Sequence, residues 1–157
     1  MSGLVSGLVG VQTQAAQPAF LAFNSANDND ATGDATLATA DFDTEIFDQN
    51  ADFASDTFTA PVTGRYLLVA HVSVGGMTVS MATDIIAIVT SNRSYNGNVN
   101  VASAGVSGFT FEKSSLVDMD AADTATVTLA LTGGNKEADI IGESTNLRTV
   151  FSGHLVA

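Results

Sequence analysis

The chain has 157 residues, seventeen Asp and Glu against five Lys and Arg, a formal net charge of −12 and no cysteine. Such a surface is repelled by phosphate backbones and anionic lipid, so no nucleic-acid or membrane partner is expected. The lack of thiols excludes disulfides, thiolate metal sites and a thiol nucleophile. Ala, Thr, Val, Gly and Asp are abundant and there are only two prolines, a composition suited to many short strands around one core.

In chain order, Ser2-Gly3-Leu4-Val5 is repeated at once as Ser6-Gly7-Leu8-Val9. No basic residue precedes this apolar portion and glycines break it, so it is a poor signal peptide. Residues 1–17 are expected to form a docking arm through Leu4, Val5, Leu8 and Val9, with the folded domain at 18–157. The plainer alternative is a leader lying against its own domain. Residues 18–23 read as a strand apolar on both faces, and 27–32 as a polar loop. From Asp28 the oxygen spacing resembles the start of a calcium loop, but Thr39 stands at the twelfth position, where a bidentate Glu is required.

Residues 37–47 continue in β fashion with Phe42, Ile46 and Phe47 as core candidates. Pro61 and Gly64 mark a bend feeding a long strand. Its Tyr66, Leu68, Ala70, Val72 and Val74 share one face, and Leu67 and Val69 stand on the other. Residues 79–90 predict a strand with Val79, Met81, Ile85 and Val89 on one face, and 92–108 a weak one around Val99 and Val101. Phe109, Phe111, Leu116 and Val117 lead to an acidic turn, and residues 124–132 alternate cleanly, Ala125, Val127, Leu129 and Leu131 facing in and threonines facing water. Residues 147–157 form the last strand, giving about ten in a two-sheet sandwich. An open sandwich covers one face of each sheet, so strands apolar on both predict self-association.

Phe42-Asp43, Asn50, the Phe58-Thr59-Ala60-Pro61-Val62-Thr63-Gly64-Arg65-Tyr66 stretch and the closing Phe151-Ser152-Gly153-His154-Leu155 resemble the complement C1q globular-head family. The resemblance spans about residues 18–157. It implies an all-β, ten-stranded jelly roll of the tumour-necrosis-factor type, assembled as a homotrimer around its inner sheet. The implied trimer interface contains Phe20, Leu67, Val69, His71, Val150 and His154, with the two histidine strands as neighbours. Two departures stand out. No collagen-like Gly-X-Y run is present, and Ala121-Ala122 occupies the place of a family glycine.

No nucleophile elbow, phosphate-binding loop or His-Glu-x-x-His motif occurs, so neither an enzyme nor a cofactor is expected. Asp118, Asp120 and Asp123 in one turn are the candidate metal ligands, for calcium, against a reading as solvated turn acids. Together these features predict a virion component, a bacteriophage capsid decoration protein or fibre knob, whose arm binds a capsid or other particle protein. The alternative is a secreted, extracellular C1q-like module that binds carbohydrate or protein.

Overall fold

The computed structural model describes residues 17–81, 83–100 and 107–157. Leu4, Val5, Leu8 and Val9 of the expected arm, and Val101, lie outside the described residues. Within them the chain is all-β. The strands are β1 (Ala19–Phe23), β2 (Asp28–Thr32), β3 (Ala38–Thr39), β4 (Thr44–Asp48), β5 (Phe53–Ala54), β6 (Thr57–Thr59), β7 (Gly64–Gly75), β8 (Thr83–Thr90), β9 (Ser94–Val99), β10 (Phe109–Met119), β11 (Thr124–Thr132), β12 (Ala138–Ile140) and β13 (Val150–Leu155). The excess over ten comes from pieces such as β3, β5 and β12, two or three residues long and too short to show a period.

Two antiparallel sheets form a jelly-roll sandwich. The first runs β10, β7, β13, β1, β4, with β12 and β2 continuing beyond the end of β13. The second runs β5, β6, β11, β8, β9, with β3 against β11. Tyr66, Leu68, Ala70, Val72 and Val74 point between the sheets, as their alternation predicts, and meet Ala125, Val127, Leu129 and Leu131 of β11. Phe20 stacks on Phe53 and Phe58 with ring centroids 4.9 and 4.8 Å apart and meets Phe151 edge-on at 5.0 Å. Each such ring buries a large apolar area. The Tyr66 hydroxyl donates to Val62 O at 2.7 Å, tying the Pro61–Gly64 bend to the strand it feeds.

Gly153 explains part of the C-terminal motif. A Cβ there would lie 2.5 Å from Leu68 Cδ2 and 2.7 Å from Phe20 Cε1, so only glycine leaves room for the Phe20 ring.

Several expectations are corrected. Residues 28–32 are a strand, not a loop: β12 pairs with them, and the Asp30 N–H donates to Asp139 Oδ1 at 2.8 Å. Of the core candidates at 42–47 only Phe42 is buried; Ile46 and Phe47 are 51% and 44% exposed. In β8 the register with β11 sends Ile86 and Ile88 into the core opposite Leu129 and Val127, while Val79 precedes the strand and is exposed. The threonine face of β11 is not uniformly wet either, because Thr128 is buried between Thr39 and Ala87.

Candidate functional site: the outer face of the first sheet

The strand registers define the face that the sandwich leaves open. One row crosses Leu116, Leu67, His154 and Ala19; the next crosses Ser114, Val69, Ser152, Leu21 and Phe47; a third crosses Glu112, His71, Val150 and Phe23. Alternation along each strand places these side chains opposite the main core cluster, and all of them except the buried Phe23 reach the surface. Charge is confined to the ends: Arg65 and Asp118 share the row beyond Leu116, and His71 Nδ1 lies 3.8 Å from Glu112 Oε1. Between them Ala19, Leu21, Phe47, Leu67, Val69, Ser152 and His154 line a shallow groove of about 400 Å³.

Of the six residues expected at an interface, Leu67, Val69, His71, Val150 and His154 share this face. Phe20 does not: it is 1% exposed and its ring lies in the core over Gly153. Its neighbour Leu21 takes the outward position, joined by Phe47 of β4 and the 56%-exposed Leu116 of β10. These three were missed: the sequence sets Phe47 among the core candidates of residues 37–47 and leaves Leu116 without an assigned face.

The acidic turn does not assemble the expected metal ligands. Asp118 holds the Arg93 guanidinium at 3.5 Å, and the carboxylate of Asp123 turns back to accept the Asp120 N–H at 2.8 Å and the Asn92 amide at 2.6 Å. Asp118 and Asp120 line a cleft of about 330 Å³ with Thr63, Arg65 and Asn92, which Asp123 does not reach. Among the described residues no three carboxylate or histidine side chains are placed to hold a metal ion together. The turn itself is strained, since Ala122 adopts φ +73°, the left-handed conformation that favours glycine. That is the departure from the family pattern already visible in the sequence.

A different acidic group does gather. Burial, the hydrogen bond with Asp56 and the charges of Asp56, Asp28 and Asp43 push Asp41 up to about 6. Asp28 is also raised, by burial first and then by the charges of Asp56 and Asp43. Asp56 is held in place by the Phe42 N–H, which donates to its Oδ1 at 2.7 Å, and Asp43 accepts from Ser25 Oγ at 2.6 Å.

No family model and no curated protein matches the sequence. Solved structures do match. The globular domain of the zebrafish complement 1qA protein is 18% identical, covers 89% of this chain and 98% of its own, and superimposes with a TM-score of 0.61. Murine APRIL at pH 8.5 is 10% identical over 89% of this chain and 99% of its own, with a TM-score of 0.59. The structure of murine APRIL at pH 5.0 gives 11% identity, the same coverage and a TM-score of 0.60. At these identities the likeness establishes the fold: the chain is a jelly roll of the C1q and tumour-necrosis-factor type.

Proposed function

We propose that this chain is a non-enzymatic structural and binding module that works as a homotrimer, each copy covering the outer face of the first sheet of the next. The observation that carries this reading is that face: a band of Leu67, Val69, Leu21, Phe47 and Leu116 that the sandwich itself leaves uncovered. A contiguous apolar patch rimmed by polar groups marks an interaction surface, and the likeness to C1q and APRIL folds supports three copies. Val69→Asp is the test. It sets a carboxylate in the middle of the band, where desolvation costs several kcal/mol per subunit, roughly. The wild-type chain should sediment as a trimer and the variant as a folded monomer; a variant that remains trimeric sinks the assignment of this face.

In the fuller reading the trimer is a virion component, a bacteriophage capsid decoration or fibre knob, anchored to a particle protein through residues 1–17. Its support is the Leu4-Val5 and Leu8-Val9 repeat ahead of a compact self-associating fold. Deleting residues 1–17 should leave a soluble trimer that no longer binds its particle, read by co-sedimentation; retained binding rejects the arm. The likeness to a complement globular domain favours the second reading, a secreted binding module, which predicts a specific soluble ligand on a glycan array or in a pull-down.

A further inference from the structure

Both histidines of the chain stand on the outer face of the first sheet, in different company. His71 has the Glu112 carboxylate beside it at 3.8 Å, so its cationic form has a counter-charge on its own chain. His154 has none in its row. Leu67 flanks it on β7 and Ala19 on β1, with Leu116 beyond Leu67 on β10, and it lines the groove with Leu21, Phe47 and Val69.

The charged groups on the surrounding elements do not compensate. On β7 the next outward residue is Arg65, a cation. On β10 the nearest acid, Asp118, is one row beyond Leu116 and engages Arg93 at 3.5 Å. On β4 the Asp48 carboxylate is taken by the N–H groups of Asp52 and Phe53, at 3.1 and 2.8 Å, and Glu45 pairs further along, with Ala22. Ahead of β1, Gln17 is neutral and donates its amide to Leu155 O. The next outward residue on β13 is Ser152, also neutral.

We infer that His154 is a proton-operated lock on assembly: a second copy seated over the groove accepts the neutral imidazole and rejects the imidazolium. The inference rests on the assembly reading above and adds its regulation. Burying an unpaired cation is costly, whereas a neutral imidazole needs only a hydrogen-bond partner. The assembled form therefore holds at neutral and alkaline pH and loosens through the imidazole range. The general effect of acid has the opposite sign, because protonating carboxylates lowers the mutual repulsion of chains at −12 and favours association.

The test is sedimentation velocity of the full chain at about pH 8 and about pH 5.5, with circular dichroism to show that the fold persists at both. Wild type should be trimeric at the higher pH and dissociate at the lower one. His154→Gln, with His154→Asn as a second replacement, should be trimeric at both. A wild-type trimer equally tight at both values overturns the lock and leaves the assembly reading standing. Acid dissociation that persists in both His154 variants also overturns it, and a monomer at both values rejects the lock and the assembly reading together.

Discussion

Asp41 is half-buried against Asp56, and its carboxyl, at about 6, holds its proton well above the ordinary 3.8. A group raised on folding adds stability as the pH falls through the folded value, with the full gain reached below the unfolded one. Its contribution is therefore absent above about pH 6 and complete below about pH 4. Asp41→Asn keeps a neutral donor for Asp56 and removes the charge. It should raise the melting temperature at pH about 7.5 by about 2–4 °C, corresponding to about 1 kcal/mol after allowing for solvent screening. It should also flatten the rise in stability that wild type shows on acidification. Thermal melts across that range check both statements, and a variant with the wild-type slope removes Asp41 as the source. The pairing of Asp41 with Asp56 was illegible in the sequence: residues 41 and 56 lie on opposite sides of β4 and β5, and only the Phe42 N–H to Asp56 bond shows how the chain returns.

At the scale of elements, legibility followed period. In β7 and β11 one face is continuously apolar, and a two-residue repeat picks out that core face correctly, although Thr128 on the other face of β11 is buried as well. β1 reads Ala-Phe-Leu-Ala-Phe, apolar at every position, so alternation has nothing to separate Phe20 from Leu21. The decision belongs to β13, where Gly153 opens a space for a ring on the inner side and Ser152 faces outward beside Leu21. Phe20→Ala should then cost about 3–5 kcal/mol of folding stability. Leu21→Ala should cost little in the isolated domain and weaken the proposed trimer instead. Denaturant unfolding at concentrations where the chain is monomeric separates the two, and equal losses at both positions contradict the orientation of β1. β2 was misread for another reason: its Asp-Asn-Asp composition disfavours a strand, and pairing with β12 overrides that preference.

For the whole molecule, composition pointed to a mostly β chain and the count and spacing of strands to a two-sheet sandwich, and the family-like motifs at residues 58–66 and 151–155 mark where its two-sided first sheet is built. Partner identity has no such trace, because the proposed contact face is built from side chains brought together from β1, β4, β7, β10 and β13. One feature of that sheet sets how the molecule opens. From Tyr66 to His71, β7 is hydrogen-bonded on one edge to β10 and on the other to β13, so none of its amides there faces solvent from an edge. Native-state deuterium uptake should be slowest in this segment, released only by global unfolding, while β4 and β9 at the sheet margins exchange through local opening. Fast uptake in β7 under native conditions would contradict that order. The strand that carries Leu67 and Val69 is thus the last to lose its shape, so the outer face of the first sheet keeps its form through every local opening of the sheet margins.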